Sequence, residues 1–169
     1  MVTADRLILE LNHLGLHFLV GETSKESAHR LSPTTILASL AGQTDARLRM
    51  AIIALLLYRP DFAQAIPEAL NQLKRLDRQT LELYYTAAVF LQQIYLEQLR
   101  RTIIQWQVLP DLFSQELDIP DSDNPQERLH LLSERHRKLS GLSINWMGTY
   151  QYAAKRLISR LEKEAAWAA

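Results

Sequence analysis

Ala46-Arg47-Leu48-Arg49-Met50-Ala51-Ile52-Ile53-Ala54-Leu55-Leu56-Leu57-Tyr58 is the stretch that decides the fold class. Thr44 can cap a helix just before it, and Pro60 resets the chain just after it. Its interior, Met50 to Leu57, is apolar on nearly every side. A helix that is apolar all round belongs inside a bundle, so 44–58 is read as the central helix of a core.

Working outward, the same periodicity recurs on both sides. Leu7, Ile8 and Leu11 form a stripe over Thr3 to Leu14, and Gly15 can end that helix. Leu16 to Val20 either continues the helix or forms a short extended run, and 21–32 reads as a polar loop. Ser32-Pro33 starts a helix that ends near Ala41-Gly42. A short helix is expected from Asp61 to Leu76, with Pro67 kinking it or opening its second half. Asp77 then caps the longest expected helix, Arg78 to Val108. There Leu81, Tyr84, Tyr85, Ala88, Leu91, Tyr95 and Leu99 recur at steps of three and four. After Leu109-Pro110 the chain is loop to residue 124, Pro125 opens a helix to Leu139, and Ser140-Gly141 breaks it. Asn145 caps a last helix to about Ala166. The expectation is an all-α, single-domain bundle over 1–169. It has six or seven helices, one long central helix and an acidic loop at 110–124.

Composition narrows the function classes. The 169 residues contain no cysteine, which excludes a thiolate nucleophile, an iron–sulfur cluster and cysteine-ligated zinc. Mean hydropathy is −0.14. No leader segment and no apolar run of about 18 residues is read, so a cytoplasmic location without a membrane span is expected. Nineteen basic and nineteen acidic residues give zero net charge, which disfavours a dedicated nucleic-acid binder.

The neutrality hides an asymmetry. Thr102 to Glu127 holds six acids and no Lys or Arg, whereas Arg128 to Ala169 holds eight basic residues and three acids. These segments carry −6 and +5, leaving +1 for residues 1–101. Either the acidic loop folds over the basic C-terminal helices, or a basic surface faces an acidic partner or a phosphate backbone.

Three constellations could carry chemistry. Arg6, Glu10, His13 and His17 fall on one stripe if the first helix runs through Gly15. Glu10, His13 and His17 then have a metal-compatible spacing, although no Glu follows His13 as a zinc peptidase requires. Arg6 and His13 also match the outer limit of the Arg–His spacing of HEPN-type ribonucleases, where Arg holds the phosphate and His moves a proton. Leu7 after the Arg, the missing Tyr after His13 and the position in the chain depart from that pattern. Arg128 and His136 are one residue too far apart for it. The third constellation is Arg135, His136, Arg137 and Lys138 followed by Asn145, Trp146, Tyr150 and Tyr152. Basic and aromatic residues together are the composition of interface anchors, and a helix start beside Arg and His can hold an anion. The bland alternative makes Trp146 and Tyr150 core anchors and the basic run a balance for the helix dipole. No nucleophile elbow, phosphate loop or dinucleotide fingerprint is present, and no cofactor is expected.

Ala46 to Ala51, Leu55 to Pro60, Tyr84-Tyr85-Thr86-Ala87-Ala88, Leu112-Phe113-Ser114 and the Ser140 to Tyr150 segment resemble a set of small uncharacterised helical bacterial proteins. Those proteins are encoded beside nucleotidyltransferase-like proteins. The resemblance spans about residues 40–155 and carries no catalytic signature. It implies a helical partner of a nucleotidyltransferase, as in a toxin–antitoxin-like pair.

Together these readings point to a non-enzymatic interaction module that binds a protein through 135–152, with a homodimer as a further possibility. A ribonuclease using an Arg–His pair and a non-catalytic nucleic-acid binder are the alternatives.

Overall fold

Side-chain caps open most of the helices. The computed structural model describes residues 2–17 and 29–168. Thr3 caps α1 (Ala4–His13), its hydroxyl accepting from the Arg6 amide. Ser32 caps α2 (Pro33–Ala41) by accepting from Thr35, and Pro33 stands at the first turn, where its missing N–H costs nothing. Asp45 caps α3 (Ala46–Tyr58) through the Arg47 amide. A 3₁₀ turn (Pro60–Ala65) leads into α4 (Ile66–Asn71), with Pro67 in its first turn. Then come α5 (Arg75–Ile94) and α6 (Leu96–Thr102). Asn124 caps α7 (Pro125–Ser140) by accepting from Gln126 and Glu127, and Gly141 ends it at φ +70°. The last helix is α8 (Trp146–Ala168), where Asn145 accepts from the Gly148 amide at 3.0 Å.

The fold is all-helical among the described residues. All eight helices feed one core. α3 lies at its middle, packed against α2, α5 and α8, and every residue from Ala51 to Leu57 is buried. α5 packs on α3 and α7, and α7 packs on α8.

Several expected boundaries are corrected. The described residues form eight α-helices, not six or seven. Residues 78–108 do not form one helix: the chain breaks at Tyr95 (φ −103°, ψ 28°) and stops being helical after Thr102. The longest helix is α8, with 23 residues, and it is C-terminal. After a turn at Ile104 and Gln105, residues 106–110 run back along α5, and the buried Gln92 amide takes up their backbone. Its Nε2 donates to the Gln107 carbonyl and its Oε1 accepts from the Leu109 amide, both at 2.8 Å. The Tyr85 hydroxyl adds a bond to the Pro110 carbonyl at 2.6 Å. Two caps also shift: Asp45, not Thr44, opens α3, and α5 starts before Asp77, which sits in its first turn. The expected 61–76 helix is divided into the 3₁₀ turn and α4. Residues 18–28, which include the expected extended run and most of the loop expected over 21–32, lie outside the described residues.

Gly15 ends α1 with φ +98°, a conformation that favours glycine, and a Cβ there would stand 2.9 Å from the Tyr58 hydroxyl. Gly15→Ala is expected to cost about 1–3 kcal/mol, read as a lower urea midpoint at constant slope. An unchanged midpoint would show that this turn relaxes freely.

Candidate functional site

The basic–aromatic segment folds inward rather than outward. His136, on α7, is 5% exposed, Trp146 7% and Tyr150 0%. Trp146 lies flat on His136, with ring centroids 3.5 Å apart and planes 12° apart. Tyr84 of α5 meets His136 edge-on at 5.6 Å. His136 Nδ1 and the Tyr150 hydroxyl share a 2.5 Å hydrogen bond. Arg49, half-buried on α3, lies close enough for its charge to act on Tyr84 and His136, and its guanidinium donates to the carbonyls of Gln43 (2.6 Å) and Thr44 (2.8 Å). Four helices thus meet in one polar–aromatic knot.

The electrostatics follow from burial. Desolvation, with the positive charge of Arg49 adding to it, pulls His136 down to about 4, so the ring is neutral near pH 7. Burial pushes the Tyr150 hydroxyl well above its ordinary value. It also raises Tyr84, against an opposing pull from Arg49. Both tyrosines stay protonated. A neutral imidazole packed between the rings of Tyr84, Trp146 and Tyr150 ties α5, α7 and α8 together. The core-anchor reading of Trp146 and Tyr150 therefore describes their place, and an exposed patch centred on them does not form.

The remaining residues of the segment scatter. Arg135 pairs with Asp118 at 3.3 Å, and Arg137 and Lys138 are exposed at the end of α7, where they complement its dipole. Asn145 is engaged as the α8 cap. A small recess of about 180 Å³ lies between Glu134, Arg137, Asn145 and Trp146.

The α1 constellation does not assemble either. Arg6 bonds Glu10 at 2.7 Å and donates to the His29 carbonyl. Glu10 is buried under that pair. His13 is exposed on the last helical residue, two turns or about 10 Å along the axis from Arg6, and His17 lies beyond the Gly15 turn. Glu10, His13 and His17 therefore do not share a helix face. No group of three His, Asp or Glu side chains able to hold a metal ion occurs among the described residues.

The acidic loop does fold over α7. Buried Arg128 donates to Asp111 at 3.2 Å and to the Pro120 carbonyl at 3.2 Å, with its guanidinium 4.4 Å from the centre of the Phe90 ring. Asp118 takes Arg135. The cations of α7 are thereby neutralised in part, whereas Lys155, Arg156, Arg160 and Lys163 of α8 lie elsewhere.

Two surface features were not singled out from sequence. One is an open groove of about 520 Å³ with an apolar floor of Leu14, Tyr58, Ile103 and Leu161 and a rim that includes Arg59, Asp61 and Glu164. Ile104 lines it while 99% exposed, and Trp167, 91% exposed, stands one turn beyond Glu164 on α8. Trp167 in the Ala-rich tail was the available signal, because a Trp that packs on nothing in its own chain is unusual. Ile104 gave none, since the regular spacing of Ile103, Trp106 and Leu109 imitates a helix. The other feature is a smaller groove of about 330 Å³ between His17 and the basic face of α8.

No helix among the described residues is long and apolar enough to cross a membrane. The chain matches no protein-family model, no curated protein and no solved structure.

Proposed function

We propose that the protein is a non-enzymatic interaction module that docks a partner protein on the groove beside Ile104 and Trp167. The observation that carries this reading is the near-complete exposure of Ile104 on the wall of a groove with an apolar floor and a polar rim, with the equally exposed Trp167 one turn beyond the rim residue Glu164 on α8. Apolar centre and polar rim are the anatomy of a protein interface. The occupant is an apolar helix ridge of another protein. The resemblance in residues 40–155 suggests a nucleotidyltransferase-like protein as the first partner to try. The reading departs from the sequence-based expectation only in place, moving from 135–152 to the α6–α8 edge. Arg6 with His13, and Arg128 with His136, lend no comparable support to a ribonuclease.

The test is co-purification of the full chain with its partner from the host, comparing wild type with Ile104→Asp and Trp167→Asp. A stoichiometric protein is expected with wild type, and each substitution should weaken its binding by about thirtyfold, as loss of a central anchor does. Light scattering on the same samples identifies a second copy as the occupant. Recovery of no protein with a monomeric chain, or recovery unaffected by both substitutions, overturns the reading.

A further inference from the structure

We propose that the groove between His17 and α8 binds the phosphate backbone of a single-stranded nucleic acid. This inference is independent of the docking surface at Ile104 and Trp167. Among the described residues the groove is lined by His17, Arg156, Leu157, Ser159, Arg160 and Lys163, and none of these is a carboxylate. Arg156, Arg160 and Lys163 follow one another at steps of four and three, so they form one stripe along α8, with Lys155 beside it. The stripe from Lys155 to Lys163 spans about 12 Å of helix. Lys155 and Lys163 are exposed and have no carboxylate partner among the described residues. Arg160 is already oriented: its Nη2 donates to the Gly15 carbonyl at 2.6 Å, while Glu164 approaches its Nε at 3.5 Å. Glu162, the other acid of this helix end, is turned to Arg101 at 3.5 Å.

An aromatic ring completes the surface. Tyr152 is 56% exposed, one turn before Arg156, whose guanidinium lies 6.0 Å from the ring centre and donates to the hydroxyl at 3.1 Å. A ladder of cations beside an exposed ring suits a flexible strand, whose phosphates meet the cations while a base stacks on the ring. Carboxylates of an acidic protein would use the cations but leave the ring without a role. Zero net charge is no obstacle, because Asp111 and Asp118 of the acidic loop are spent on Arg128 and Arg135 of α7.

The test is a fluorescence-anisotropy titration of the full chain with a labelled mixed-sequence single-stranded RNA of about 16 nucleotides. Salt is varied between about 50 and 200 mM. Saturable binding is expected, with a slope of log K against log salt of about −2 to −3, the signature of three or four phosphates neutralised. Lys155→Gln with Lys163→Gln should flatten that slope by about 1.4. Tyr152→Ala should weaken binding at least about fivefold. Arg137→Gln with Lys138→Gln, an equal charge change on exposed positions of α7, should leave it unchanged. Thermal melts confirm that each variant is folded. Absence of saturable binding at the lowest salt overturns the proposal, as does equal weakening by the two double variants. Binding of polyglutamate as tight as that of RNA also overturns it and assigns the groove to an acidic protein instead.

Discussion

Arg128→Ala is expected to lower the stability of the protein by about 2–4 kcal/mol and to free the loop that follows α6. The side chain is one of the few buried cations here. It bonds the Asp111 carboxylate and the Pro120 carbonyl and covers the Phe90 ring. Truncation removes all three contacts at once. It leaves a carboxylate, a carbonyl and a ring face that were arranged around a guanidinium. Asp111 is about one-third exposed, so water recovers part of the loss, which keeps the figure below that for a fully buried pair. Arg128→Met, which keeps the aliphatic stem over Phe90, should cost less than Arg128→Ala. Urea midpoints at constant slope measure the loss, and limited proteolysis between residues 111 and 124 measures the loosening. A loss below about 1 kcal/mol with unchanged cleavage would show that Phe113, Leu117 and Ile119 hold the loop without help.

The second large effect is a loss of stability in mild acid. His136 has an ordinary value of 6.5 that folding lowers to about 4. Above 6.5 neither state is charged, and the histidine contributes nothing. As the pH falls from 6.5 towards 4, the unfolded chain takes up the proton first, and folding is opposed increasingly; below 4 the penalty levels off. The whole window is worth about 3 kcal/mol. Glu82 works in the opposite sense, because burial raises its carboxyl and the folded state then binds a proton more readily. The measurement is therefore a difference between wild type and His136→Phe, which keeps a ring on Trp146 but has no titrating nitrogen. Denaturant stability of wild type should fall between pH 6.5 and 4 relative to the variant. Parallel profiles would mean that His136 becomes protonated without leaving its site.

Much of the fold was legible because it is written in local chemistry. Ser32-Pro33, Pro125 and Gly141 mark helix ends through their own side chains or their lack of one, and α2 and α7 begin or end there. Met50 to Leu57 announced a central helix through its composition alone. The break at Tyr95 was not legible: no Pro or Gly marks it, and leucines and isoleucines continue on both sides. What ends the helical run by Thr102 is tertiary, because Gln92 and Tyr85 take the backbone of 107–110 out of any helix. The candidate site was illegible for a related reason. Arg, His, Trp and Tyr in one short segment look the same whether they face solvent or one another. Only the crossing of α3, α5, α7 and α8 decides that His136 stacks on Trp146 inside the protein. Charge was legible as an imbalance but not as a location; the acidic loop reaches α7 and leaves the α8 cations to another face.

The Gln92 amide has one more consequence. It engages the carbonyl of Gln107 and the amide of Leu109, the pair of groups that a residue of a parallel strand would engage. A single side chain thus supplies one rung of a ladder in a protein that has no strand among its described residues. Because the rung comes from a helix surface, nothing repeats it above or below. The extended segment is secured without creating an open sheet edge, and so without a template on which another chain could add.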